Sequence, residues 1–91
     1  MNQTLCVTYD LSQPGRNYEQ LIAALKAYPS WWHHLESTWF IVTPKSAADV
    51  RDELWKLLDR NDKLLVFRPT TPWAANGLPA EACGWLKTNV P

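Results

Sequence analysis

Four β-rich runs, two amphipathic helical stretches and the β-α-β-β-α-β order in which they fall predict an α+β domain with a ferredoxin-like sandwich core. In that arrangement two helices cover one face of a four-stranded antiparallel sheet. The 91 residues are expected to form a single domain, with the sandwich over residues 4–68 and a C-terminal strand and short-helix extension over residues 69–91. A chain of this length buries roughly 60–65% of its unfolded surface, enough for a thin core.

The first run, residues 4–9, alternates so that Leu5, Val7 and Tyr9 share one strand face and Cys6, Thr8 and Asp10 the other. Ser12-Gln13-Pro14-Gly15 is a loop signal. Asn17, with Gln20 three residues on, opens a helix in which Tyr18, Leu21, Ile22, Leu25 and Tyr28 recur at helical spacing until Pro29 ends it. Residues 31–43 are aromatic and β-branched but too many for one strand, so two strands are expected with a tight turn at Glu36-Ser37-Thr38. Ser46 and Asp49 cap a second helix with the stripe Val50, Leu54, Leu57 and Leu58, ending near Arg60-Asn61. Residues 63–68 form a strand whose continuous centre, Leu64-Leu65-Val66-Phe67, predicts burial on both faces or a central place in the sheet. Beyond it, Asn76-Gly77 signals a turn and Pro79 opens a short helix to about Lys87. Leu78, Ala82, Trp85 and Leu86 give that helix an apolar side to dock on a surface the strands leave open.

Six Trp, three Tyr and two Phe within a 46% hydrophobic chain exclude disorder. Nine Lys and Arg balance nine Asp and Glu, and the pI lies near 6.7. That balance argues against a strongly basic nucleic-acid carrier, while leaving room for a basic face opposite an acidic one. Zero net charge also favours association, so a homodimer is expected. No basic and apolar leader follows Met1, and no apolar run approaches the ~20 residues of a membrane span. Cys6 and Cys83 lie far apart without metal-ligand spacing, so two reduced thiols in a cytoplasmic protein are expected, with no membrane partner.

The sequence contains no Gly-rich phosphate loop, no helical zinc-ligand pair and no nucleophile elbow. Asp10 is the first candidate, a carboxylate at the end of the first strand that a rigid sheet could hold against a metal. Mg²⁺ usually takes one or two carboxylates plus waters and substrate oxygens, and two copies could converge in a two-fold dimer. The alternative role for Asp10 is to cap the loop through an Asx-turn. His33 and His34, as strand neighbours, point to opposite faces and cannot chelate one metal together; His34 and Glu36 would share a face. Arg51, Lys56, Arg60, Lys63 and Arg68 are interleaved with acidic residues, the pattern of a solvated helix laced with ion pairs, and Arg16 lies in the first loop. Trp39 and Trp55 fit the core or a subunit interface. Trp31, Trp32, Trp73 and Trp85 exceed what so small a core needs and point to a partner surface.

A β-rich start ending Tyr9-Asp10-Leu11, a helix, Glu36-Ser37-Thr38-Trp39-Phe40-Ile41-Val42, a second helix and Asp62-Lys63-Leu64-Leu65-Val66-Phe67 resembles the small CRISPR-associated endonuclease of the adaptation pair. The chain is more similar still to bacterial and phage proteins labelled SinR-family. Their tails carry a Thr-x-Pro-aromatic-Ala stretch like Thr70-Thr71-Pro72-Trp73-Ala74 and a Gly…Trp-Leu ending like Gly77…Trp85-Leu86. The resemblance spans residues 4–87. It implies a ferredoxin-like chain that dimerises through its sheet and binds RNA or DNA, in some members as a metal-dependent endonuclease and in others as a non-catalytic scaffold. On that reading Asp10 holds Mg²⁺ or Mn²⁺ and is the catalytic residue, while Arg16 and Arg51 hold flanking phosphates. The alternative is a non-catalytic protein-interaction module, of toxin or defence-accessory type, that uses the Trp-rich surface.

Overall fold

The computed structural model describes residues 1–13 and 18–91; Arg16 and the expected helix start at Asn17 lie outside the described residues. The chain runs β1 (Gln3–Asp10), α1 (Glu19–Lys26), β2 (Ser30–Leu35), β3 (Thr38–Thr43), α2 (Ala47–Trp55), β4 (Lys63–Phe67) and α3 (Ala80–Asn89). The four strands form one antiparallel sheet in the order β2-β3-β1-β4. The described residues thus form a small α+β domain of four strands and three helices, the class that the alternating and helical periodicities predicted.

Cross-strand register sorts the side chains onto two faces, because residues directly opposite in an antiparallel pair point the same way. Leu5 sits opposite Ile41, Val7 opposite both Trp39 and Val66, and Tyr9 opposite Leu64. These form the first face. Leu21 and Leu25 of α1 and Val50 and Leu54 of α2 complete its core, with Leu5, Val7, Trp39, Ile41, Val50 and Leu54 essentially sealed from solvent. Trp39 lies at its centre. Its indole N–H donates to the Tyr9 hydroxyl at 3.0 Å, so burial of the ring leaves no polar atom unpaired. The His33 ring stacks on Trp39 at 3.8 Å between centroids.

Thr4, Cys6, Thr8 and Asp10 occupy the second face together with Phe40, Val42, Leu65 and Phe67. Helix α3 returns across part of it, burying Trp32 against Ala82, Leu86 and Val90, with Phe40, Trp73, Leu78 and Trp85 packed around them. Hydrogen bonds fasten this cover. The Trp32 indole donates to the Ala82 carbonyl at 3.1 Å, the Trp85 indole to Ser30 Oγ at 3.3 Å, and the Thr4 hydroxyl to the Asn89 carbonyl at 2.6 Å. The domain therefore has three layers, with α1 and α2 below the sheet and α3 above.

Several expectations change. The apolar run Leu64-Leu65-Val66-Phe67 is not central: β4 is an edge strand, and its Leu65 and Phe67 are 57% and 41% exposed. The run is continuous because Leu64 and Val66 serve the first core while Leu65 and Phe67 belong to the second face. Helix α2 stops at Trp55, where tighter bonds from Leu57 to Leu54 and from Leu58 to Trp55 carry the chain into a turn. Among the described residues, the extension 69–91 contributes α3 and no strand. Ser46 caps α2 as expected, its hydroxyl accepting from the Asp49 N–H at 3.1 Å.

Candidate functional site

The end of β1 brings the sequence-predicted residues closest to a site. Asp10 is exposed and lies opposite Lys63 on the second face. The two line a shallow cleft of about 230 Å³ with Thr8, Tyr9, Leu64 and Leu65. The loop-capping alternative for Asp10 is taken by another residue. The Ser12 N–H, two positions after Asp10 and the natural partner for an Asx-turn, donates instead to Asp62 Oδ1 at 2.8 Å. Among the described residues no hydrogen bond or ion pair engages the Asp10 carboxylate, which leaves it open to solvent and to ligands.

Asp62 is the residue that sequence reasoning missed. It is 3% exposed and receives the Ser12 N–H at 2.8 Å, the Ser12 hydroxyl at 2.9 Å, the Tyr18 hydroxyl at 3.1 Å and the Asp59 N–H at 2.8 Å. Burial pushes its carboxyl pKa up, but the donors from Ser12, Asp59 and Tyr18 outweigh this and hold it below the ordinary carboxylate value. One carboxylate thus ties the chain leaving β1, the chain entering α1 and the turn before β4. In the sequence Asp62 is one of five interleaved acids, and its position in a turn ahead of a strand is the sole signal that set it apart.

Arg51 lies on α2, exposed, with its guanidinium 3.0 Å from Asp52 Oδ1. It does not share the Asp10 cleft but lines a neighbouring one with Asp52, Trp55, Lys63 and Leu64. His33 and His34 form no acid–base pair with a carboxylate. A register shift between Trp32 and Leu35 breaks the simple alternation, and it is His33, not His34, that meets Glu36, through the backbone carbonyl at 3.1 Å. Across the molecule, the Tyr28 hydroxyl donates to Glu53 Oε2 at 2.9 Å and the Lys45 ammonium pairs with Oε1 of the same carboxylate. Lys45 chiefly holds the Glu53 pKa down, and burial with the adjacent Glu53 raises that of Tyr28. This cluster braces the ends of α1, α2 and β3 beside an open cleft of about 440 Å³.

The tryptophans divide sharply. Trp32, Trp73 and Trp85 pack within the chain's own second core. Trp31 is exposed, with the Lys26 ammonium 5.5 Å above its ring. Trp55, expected in a core or an interface, is 41% exposed at the end of α2 and takes no place in the first core. Cys6 is buried, which lifts its thiol pKa to about 11, and both cysteines are free.

Part of the second face stays bare. Leu35 of β2, Thr38 of β3, Thr8 of β1 and Leu65 of β4 form one row across the sheet, flanked by Asp10 and Lys63 at one end and Phe67 on the other side. Leu35, Leu65 and Phe67 are the large apolar side chains this row and its flank leave in solvent. Behind Phe67, a cavity of about 180 Å³ runs under the C-terminal segment, lined by Trp32, Phe40, Trp73 and Leu86. Among the described residues, no three His, Cys, Asp or Glu side chains gather into a metal-binding group, and no helix is long and apolar enough to cross a membrane. No family model, curated protein or solved structure matches the chain, so the geometry alone carries its functional reading.

Proposed function

We propose that this chain is a ferredoxin-like interaction domain that associates with a second copy through the bare half of its second sheet face. The observation that carries this reading is the juxtaposition of Leu35, Leu65 and Phe67 with Asp10 and Lys63 on one continuous surface. Apolar side chains grouped on one face and rimmed by charge are the make-up of a protein interface. A two-fold axis across this surface would let Asp10 of each copy meet Lys63 of the other, the self-complementarity an isologous dimer requires. Light scattering over a range of concentrations tests it. A dimer that becomes a monomer in Leu65→Glu is the expected result, and a wild-type monomer at every concentration contradicts it.

A second reading is favoured by the open state of Asp10. A different two-fold arrangement, with the axis passing beside Asp10, would gather two carboxylates in place of the Asp10–Lys63 pairs, and one or two carboxylates with waters and substrate oxygens suffice for Mg²⁺ or Mn²⁺. A metal there would supply an activated water and neutralise a phosphate. The protein would then bind RNA or DNA as the CRISPR-associated endonucleases do, with Asp10 as metal ligand and catalytic residue. Arg51 and Arg16 would be the phosphate contacts, of which Arg16 lies outside the described residues. Metal-dependent cleavage abolished in Asp10→Ala supports this reading, and cleavage undiminished in that variant removes Asp10 from it.

A further inference from the structure

We propose that the cleft between the end of α2 and the edge strand β4 binds one nucleotide of a single-stranded nucleic acid, with the base stacked on Trp55 and the phosphates held by Arg51 and Lys63. This rests on the nucleic-acid reading above, of which it takes only the binding and not the metal-dependent cleavage.

Three features converge. First, Trp55 presents its indole to solvent at 41% exposure. The other exposed indole, Trp31, has the Lys26 ammonium 5.5 Å from its ring centroid and leans on Trp39, with centroids 5.4 Å apart. Among the described residues, no ring, cation or hydrogen-bond partner engages Trp55. Second, two cations line the same cleft as the indole. Arg51 stands one helical turn before Trp55 on α2, so the two share a helix face, and Lys63 lies at the start of the edge strand β4, opposite Asp10. All three line a cleft of about 450 Å³, within the size range of small-molecule and nucleotide sites. Third, the cleft does not end there. Lys63 and Leu64 also line the cleft that holds Asp10, so the two clefts adjoin at the edge of β4.

The chemistry selects the ligand. An aromatic face beside two separated cations suits an unstacked base carried on a phosphodiester, because every base offers a π-face and every linkage a negative charge. In a duplex the bases are already stacked and paired, and the indole has nothing to receive. Asp52 is the one carboxylate in the cleft, and it engages Arg51 at 3.0 Å. Both side chains of that pair are more than half exposed, and such surface pairs contribute little, so Arg51 can transfer to a phosphate at small cost. RNA and DNA share this chemistry.

The experiment measures binding of labelled oligouridylate, oligothymidylate and a matched duplex by fluorescence anisotropy across a salt series. The proteins compared are the wild type, Trp55→Ala, Arg51→Ala, Lys63→Ala and Trp31→Ala, each checked for folding by thermal melting. The expected result is preference for single strands, weakened about tenfold in Trp55→Ala and unchanged in Trp31→Ala. Arg51→Ala and Lys63→Ala should each lower the salt slope by about 0.7, the loss of one phosphate contact. If the wild type binds none of the three probes, the nucleic-acid reading fails and takes this one with it. If it binds single strands but Trp55→Ala does so equally well, or if duplex binds as tightly as single strand, the nucleic-acid reading stands and the Trp55 site is overturned.

Discussion

The two halves of the second sheet face come from the same strands, yet they end in opposite states. Towards the edge strand β2, Trp32 and Phe40 lie beneath Ala82, Leu86 and Val90 of the C-terminal segment, and the buried Trp32 indole and the half-buried Trp85 indole each have an acceptor. Towards the β2–β3 turn and the start of β4, Leu35 and Leu65 lie in solvent among Thr8, Thr38, Asp10 and Lys63. The covered half is mainly apolar, and its polar members Thr4 and Ser30 are hydrogen-bonded to the cover. The bare half alternates apolar with polar side chains, the mixed composition of a surface that can face water or a partner. Cover and composition therefore agree: the chain's own helix takes the half that cannot face water, and the half left over tolerates either solvent or a partner.

The largest expected effect breaks the covered half. Trp32→Ala removes a fully buried ring and its bond to the Ala82 carbonyl, and should destabilise the fold by about 3–5 kcal/mol in urea denaturation. A smaller effect is expected at the clamp beneath the bare half. Asp62→Ala removes the charged acceptor shared by the part-buried Ser12 and Asp59 N–H groups and the Tyr18 hydroxyl, a loss of about 1–3 kcal/mol. Asp62 also sets a pH dependence. Its folded pKa lies below the unfolded value of 3.8, so its contribution is complete above that value and is lost as pH falls through the lowered pKa. Acid unfolding of Asp62→Asn should accordingly lack the part of the slope below about pH 4 that the wild type shows. The smallest effect on stability is expected on the bare half itself. At protein concentrations low enough for the wild type to be monomeric, Leu65→Glu should change unfolding free energy by no more than about 0.5 kcal/mol, because the side chain there faces water. A loss of several kcal/mol there would mean that Leu65 belongs to the monomer's core.

The contrast between the halves also shows what the sequence could disclose. Alternation in β1 separated Leu5, Val7 and Tyr9 from Cys6, Thr8 and Asp10, because a period of two needs no tertiary information. The helix start at Ser46 was equally legible, since the cap bond is local. The edge position of β4 was not. Leu64-Leu65-Val66-Phe67 reads alike whether its second face is buried by another layer or left bare, and only the path of residues 69–91 decides between them. The same path explains Trp32, Trp73 and Trp85, whose surplus looked like a partner surface and is taken up within the chain. The place of Asp10 at the end of a strand was legible in the alternation of β1. Asp62 was not, because its partners Ser12 and Tyr18 lie more than forty residues away in sequence.

The most direct test of the bare half as an interface is methyl NMR of the wild type on dilution. The account predicts concentration-dependent shifts at the Leu35 and Leu65 methyl groups, with Ala82 and Leu86 under the C-terminal cover unmoved. Spectra that do not change with concentration, or that change at Ala82 and Leu86 instead, would contradict it.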